Sequence, residues 1–187
     1  MLNQLSQMIN RFSKTWLVLV SLFIFLYFII SILPAQSAKA SSNTGSVSSP
    51  DTSFFYSTRD LYQMADSYGV DGRAAYIRAR FSFDLIWPLV YTLFLLTGIS
   101  WLTQRVLSPA SPFQIINLFP FLAIIFDLFE NLSTSFVMAR YPTLSPLIGF
   151  LSPLFSGLKW IFVSTNFLLL LILCALYLKK KFFSKQK

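Results

Sequence analysis

Four long apolar stretches restrict what this chain can fold into more than any other feature of its sequence. They cover residues 16–33, 83–102, 113–137 and 158–178. Each is about as long as the ~20 residues with which a helix crosses a hydrocarbon core of about 30 Å. Because lipid offers the backbone no hydrogen-bond partner, such stretches form helices. The sequence therefore predicts an all-α integral membrane four-helix bundle, in which the last three spans form a unit over 83–178.

The composition agrees with a membrane protein and excludes several kinds of site. Only 12% of the residues are charged and 55% are hydrophobic, whereas soluble domains carry about 25% charged residues. The sequence has no His and one Cys, Cys174. A His-ligated metal or haem, a Ser-His or Cys-His nucleophile and an intramolecular disulfide are thereby excluded. We expect no metal site and no cofactor.

The first apolar stretch, 16–33, has two interpretations. Arg11 and Lys14 precede it, and Ala38-Lys39-Ala40 follows it in the manner of a cleavage site. Those parts are typical of a signal peptide, but the apolar region of a signal peptide is only about 7–15 residues long. The length favours an uncleaved signal anchor. Both interpretations place the following segment outside.

That external segment divides into two parts. Residues 34–56 are mostly small and polar, so we predict a flexible linker there. Residues 57–82 are predicted to form two short amphipathic helices, because Ser57 and Asp60 have the spacing of a capping box. We expect 57–80 to dock a protein partner, with contacts from Leu61, Met64 and Tyr68, which recur at helical spacing.

The last apolar region, 147–178, is 32 residues long and contains Pro153 and Gly157. One ordinary span needs only about 20 residues. We therefore predict an interfacial segment at 147–156, followed by the fourth span at 158–178.

The distribution of basic residues indicates the orientation. Four spans put both termini on one side, and that side holds eight Lys and Arg residues against six on the other. The excess predicts a cytoplasmic N-terminus, 1–15, and a basic cytoplasmic tail, 179–187. Five tail lysines beside a bilayer attract anionic lipid. No basic patch lies on a soluble domain, so we expect no nucleic-acid partner.

A few ionisable residues lie inside the apolar stretches, where charge is costly. Asp127 is the deepest, fourteen residues from Phe113 and ten from Val137. Glu130 and Asn131 share its helix face, since they follow at i+3 and i+4. The third and fourth spans run antiparallel, and counting residues from their common outer side places Lys159 at the same depth as Glu130. We predict an intramembrane polar cluster of Asp84, Asp127, Glu130, Asn131, Lys159 and Asn166, flanked by Arg80 and Tyr91.

This cluster also has a purely structural interpretation. Lys159 precedes Trp160 and could anchor the helix in the headgroup layer, and Glu130 and Asp84 could lie near the interface too. An ion pair that only fixes the register of two helices is an ordinary use of such residues. No catalytic role is assigned to any residue.

Three functions compete. The first is a small polytopic protein without recognisable catalytic machinery, serving as an accessory, assembly or scaffold subunit. The second is a lipid-binding or small-molecule-binding protein, or an acid-base enzyme, with a pocket lined by Asp127, Glu130 and Lys159. The third is ion or proton movement, for which the cytoplasmic half of the bundle is too apolar. A cavity of a few hundred Å³ that reaches Asp127 would favour the second function, and close packing beneath it the first.

Overall fold

The computed structural model describes residues 2–44, 49–50 and 53–183, and within these ranges the chain is helical and contains no strand. The N-terminal helices are α1 (Leu2–Phe12), α2 (Thr15–Tyr27), a π-helical turn (Phe28–Ile32) and α3 (Leu33–Thr44). The remaining elements are α4 (Thr58–Ser67), α5 (Gly69–Arg80), α6 (Phe83–Val106), a 3₁₀ helix (Pro112–Leu118), α7 (Pro120–Arg140) and α8 (Pro146–Phe183).

Four helical stretches of the described residues are long and apolar enough to cross a membrane: Thr15–Ser42, Gly69–Val106, Pro112–Arg140 and Pro146–Phe183. The expectation of an all-α fold with four long apolar helices is confirmed. Many large apolar side chains point outward from these helices, including Phe23 and Leu168. The bundle therefore presents an apolar outer surface.

Helix α6 forms the centre of the bundle, because α2, α7 and α8 all pack against it. Leu95 and Ile99 are fully buried in the main core, beside Leu173 of α8. The hydroxyls of Ser21 and Thr97 are 2.8 Å apart and join α2 to α6 by a buried hydrogen bond.

Helices α4 and α5 cover one end of the bundle. The Ser57 side chain accepts from the backbone N–H of Asp60, and the Asp60 carboxylate accepts from the backbone N–H of Ser57, so the predicted capping box is present. Leu61, Met64 and Tyr68 are buried against the end of α7. These three side chains, which we expected as partner contacts, are thus buried within the chain.

The predicted flexible linker at 34–56 needs correction, because residues 33–44 form helix α3. The π-helical turn ends at Ile32, two residues before Pro34. A π-helical turn can accommodate a local irregularity without ending the helix. No Gly or Pro follows until Gly45, so the helix continues, and it packs against α5. Positions 45–48 and 51–52 of the predicted linker lie outside the described residues.

The predicted division of the last apolar region is also wrong, because α8 runs unbroken through Pro153 for 38 residues. Proline lacks an N–H and cannot donate to the carbonyl four residues earlier. That carbonyl belongs to Gly149, and the Thr58 hydroxyl donates to it over 3.0 Å. A Cβ at Gly149 would come within 3.1 Å of Thr58 and Tyr62, so the glycine lets α4 approach. Helix α4 thus supplies the bond that Pro153 removes.

Thr58→Val should destabilise the fold by about 1 kcal/mol, because the Gly149 carbonyl loses its donor. Thr58→Ser keeps a hydroxyl and should retain most of the stability. The free energy of unfolding in mixed detergent micelles, measured by SDS titration, distinguishes the two variants. Equal losses in both would contradict the role given to the hydroxyl.

The pKa of Asp60 lies below its ordinary value because the backbone N–H and then the hydroxyl of Ser57 donate to its carboxylate. A lowered folded-state pKa stabilises the fold above the unfolded-state pKa of about 3.9, and that contribution is lost as the pH falls through the folded-state value. We expect hydrogen-exchange protection of the α4 amides to fall in acid. Asp60→Asn, whose amide oxygen does not titrate, should reduce this acid sensitivity, and an unchanged sensitivity would contradict it.

Candidate functional site

The side chains of the candidate site converge from four helices, α5, α6, α7 and α8, near the end that α4 and α5 cover. Asp127 is 7% exposed although it is a carboxylate. The Tyr91 hydroxyl donates to its Oδ2 over 2.9 Å, and the Asn131 amide lies 3.4 Å from its Oδ1. The structure thus brings Tyr91, predicted only as a flanking residue, into direct contact with the deepest acid.

Two ion pairs flank Asp127. Arg80 Nη2 lies 2.6 Å from Asp84 Oδ2, and both side chains are largely buried. Lys159 forms an ion pair with Glu130, and those two side chains are buried as well. The ammonium of Lys159 therefore points into the bundle rather than outward toward the surface. Buried charges are tolerated when they are paired and hydrogen-bonded in this way.

Asn131 links these groups. Its amide donates to the backbone carbonyl of Asp84 over 3.2 Å, and its Oδ1 lies 3.5 Å from Arg80 Nη1. The Asp84 carbonyl is available because Pro88, four residues later, has no N–H to donate to it. A side chain of α7 thus completes the hydrogen bonding of α6 inside the bundle, where water is scarce.

Asn166 was predicted to belong to the polar cluster, but its amide bonds within its own helix. Asn166 is fully buried, and its amide donates to Phe162 of its own helix over 2.7 Å. Within the described residues its Oδ1 has no hydrogen-bond partner. Asn166 is therefore a buried polar residue near the cluster rather than a member of its network.

A cavity of about 700 Å³ lies beside the cluster. Asp127, Tyr91 and Lys159 line it, together with Arg80 and Asp84, whereas Glu130 and Asn131 stand behind its wall. Of the three residues predicted to line a pocket, Asp127 and Lys159 line this cavity and Glu130 does not. The volume lies within the range of about 300–1,000 Å³ that is typical of ligand pockets.

Aromatic side chains form another part of the cavity wall. Phe25 stacks on Phe94, with ring centroids 4.6 Å apart, and meets Phe167 of α8 at 5.8 Å. Phe25 and Phe167 line the cavity. We call Phe25, Phe94 and Phe167 the aromatic floor. Trp87 also lines the cavity and stacks against Phe25, with ring centroids 5.7 Å apart.

Sequence reasoning missed one wall of this cavity, which α3 provides. Leu33, Gln36, Ser37, Ala40 and Ser41 line it and recur every three or four residues along one face of the helix. The faces of α3 differ little in polarity, so its sequence resembles that of a linker. The absence of Gly and Pro from 35 to 44 was the available signal.

Trp160 is a second residue that the sequence did not assign to the cavity. It lines the wall, and within the described residues its buried Nε1 has no hydrogen-bond acceptor. A buried indole N–H usually finds a partner.

The chain matches no protein-family model, no curated protein and no solved structure. Functional inference therefore depends on the geometry of this site.

Asn131→Ala should lower the free energy of unfolding by about 1–3 kcal/mol, because the Asp84 carbonyl is left without its donor. In a Pro88→Ala background the N–H of residue 88 can donate to that carbonyl, so the same change should cost less. A double-mutant cycle measured by SDS titration tests this coupling. Strictly additive costs would show that Asn131 does not compensate for Pro88.

Proposed function

We propose that the chain is a multi-pass membrane protein that binds a small amphipathic molecule in the cavity beside Asp127. The cavity carries this proposal, because one space of about 700 Å³ is lined both by polar side chains of the cluster and by apolar and aromatic side chains. An amphipathic molecule matches both kinds of surface.

Insertion into a membrane is supported by the four apolar helices and by α1. The hydroxyl of Ser6 and the amide of Asn10 bond to Gln114, which holds α1 across the end of the bundle opposite α4 and α5. Leu2 and Phe12 of α1 are 59% and 68% exposed. An amphipathic helix with an outward apolar face suits the interface of a bilayer. The excess of basic residues supports a cytoplasmic location for this end of the bundle.

The arrangement of α2, α3 and α8 explains why a cavity exists. Helices α2 and α3 pack mainly against α6 and α5, while α8 packs against α6 and α7. The space between the first and fourth spans is lined by residues of α2, α3 and α8. Helices from distant parts of the sequence thus enclose a volume that no single interface fills.

A scaffold or accessory role has less support. Close packing beneath Asp127 would favour it, and the cavity lies there instead. The apolar residues of α4 that we expected at a partner surface are buried within the chain. We therefore prefer ligand binding, and we assign no reaction to the site.

Blocking the cavity should prevent binding. Ala79 lines the cavity, so Ala79→Phe fills part of it. Ala175 is exposed on α8 and lies outside the cavity, so Ala175→Phe is a matched control. All variants also carry Trp16→Phe and Trp101→Phe, so that the remaining tryptophans, Trp87 and Trp160, both lie at the cavity. The probes are three ω-brominated dodecyl amphiphiles with glycerol, phosphate or ammonium heads, added to protein in nanodiscs.

We expect saturable quenching of tryptophan fluorescence by at least one probe, with binding weakened about tenfold or more in Ala79→Phe and unchanged in Ala175→Phe. Non-saturating quenching, equal in all variants, would show that the probes only dissolve in the bilayer and would overturn the proposal.

A further inference from the structure

We propose that the end of the bundle that carries α1 binds the headgroup of an anionic phospholipid, with Arg105 of α6 and Lys180 of α8 holding its phosphate. The proposal rests on the membrane insertion proposed above and does not involve the cavity. Three observations carry it: the distribution of acidic residues, the fixed positions of these two basic side chains, and the aromatic and apolar groups beside them.

The first observation is a separation of charge along the chain. The sequence has seven Asp and Glu residues, and none of them lies within 1–50, 85–126 or 131–187. These ranges contain α1, most of α6, the 3₁₀ helix and all of α8. The parts of the chain that form this end thus supply positive charge and no negative side chain. Six of their basic residues are at least partly exposed: Arg11, Lys14, Arg105, Lys179, Lys180 and Lys181. Basic residues beside a bilayer attract anionic lipid.

The second observation is that Arg105 and Lys180 are held in place at the end of α6. Arg105 Nη1 donates to the Trp101 carbonyl over 2.9 Å, and its guanidinium lies 3.7 Å from the centroid of the Trp101 ring. Lys180 Nζ donates to the Arg105 carbonyl over 2.8 Å, which joins α8 to the end of α6. The two carbonyls are four residues apart in one helix, so the two cationic groups stand about one helical turn apart.

This arrangement suits a phosphate. A guanidinium has five N–H donors in a planar fork that matches phosphate oxygens, and an ammonium has three donors. Arg105 donates to the Trp101 carbonyl and Lys180 to the Arg105 carbonyl, so each group has further N–H donors for an anion. Because the backbone of α6 already orders both side chains, binding an anion costs little further conformational entropy.

The third observation places these charges at the depth of lipid headgroups. Trp101 packs edge to face with Tyr177 of α8, with ring centroids 5.2 Å apart, and its Nε1 donates to the Thr15 hydroxyl over 2.9 Å. Trp and Tyr near the ends of membrane helices are typical of the boundary between hydrocarbon and water. Arg105 follows Trp101 by four positions and Lys180 follows Tyr177 by three, so both basic side chains extend into the headgroup layer.

Helix α1 favours a membrane surface over a soluble anion as the partner. The Asn117 amide donates to the Ser6 carbonyl over 3.2 Å and to Asn10 Oδ1 over 3.0 Å, so a polar face of α1 is turned toward the bundle. Met8 and Phe12, in contrast, are 49% and 68% exposed. Outward apolar side chains beside basic residues are the features with which an amphipathic helix binds an anionic membrane. A soluble anion would leave this apolar surface in water.

Trp101 can report on the lipid beside it. In a variant with Trp16→Phe, Trp87→Phe and Trp160→Phe, Trp101 is the single tryptophan. This variant is placed in nanodiscs of phosphatidylcholine and phosphatidylglycerol, with bromine on the acyl chains of one lipid or the other. Quenching of Trp101 as the lipid ratio changes gives the relative affinity of the two lipids for this site. We expect a preference for phosphatidylglycerol of about tenfold at low salt, which falls as salt is added.

Arg105→Gln with Lys180→Gln should abolish the preference for phosphatidylglycerol. Lys179→Gln with Lys181→Gln removes the same charge from neighbouring positions, so it is the matched control and should keep most of the preference. Equal losses in the two double variants would indicate diffuse attraction to the basic tail and would overturn the site. If the first double variant does not fold, the preference of the unsubstituted site and its persistence in the control decide the matter.

The failure of this inference differs from the failure of the proposed function. Equal quenching by both brominated lipids would overturn the headgroup site and leave membrane insertion standing. A saturable response of Trp101 to inorganic phosphate, without a preference for phosphatidylglycerol, would assign the basic residues to a soluble anion and would also overturn the site. Quenching by neither lipid would overturn both the site and the membrane depth of this end. Ala79→Phe, which blocks the cavity, should leave the lipid preference unchanged.

Discussion

Two prolines inside long apolar helices set the main constraint on this fold. Each removes a backbone donor and leaves a carbonyl that needs a partner where water is scarce. Asn131 of α7 donates to the carbonyl exposed by Pro88, and Thr58 of α4 donates to the one exposed by Pro153. Both partners come from other helices, so completing the hydrogen bonds of α6 and α8 also positions α7 and α4. The bundle and its covering helices are joined at these points.

The same constraint places the candidate site. By bonding to the Asp84 carbonyl, Asn131 holds the Asp127 face of α7 against α6, where the Tyr91 hydroxyl meets the carboxylate. Lys159 is then brought to Glu130 from α8. The side-chain hydrogen bond to the Asp84 carbonyl and the buried ion pair are thus parts of one network. The network itself is closely packed, and the open volume lies beside it, where α2 and α3 do not fill the space against α8.

Features governed by periodicity could be predicted from the sequence, and features governed by distant contacts could not. The spacing of Asp127, Glu130 and Asn131 places them on one helix face, and antiparallel counting brings Lys159 level with Glu130. Helix α8 continues through Pro153 with the help of Thr58, which donates to the Gly149 carbonyl from 91 residues away. Pro153 and its sequence neighbours alone therefore predicted that the helix breaks there. The cavity depends on the separation of helices that no sequence pattern specifies. The N-terminal helix α1 was likewise missed.

The aromatic floor has a consequence for how a molecule would exchange. Phe25, Phe94 and Phe167 bring rings from α2, α6 and α8 together beneath the cavity. Because these rings contact one another, they fill the space between the three helices at this wall. A molecule in the cavity would then exchange more readily by movement of α3, which forms another wall, than by separation of the stacked rings.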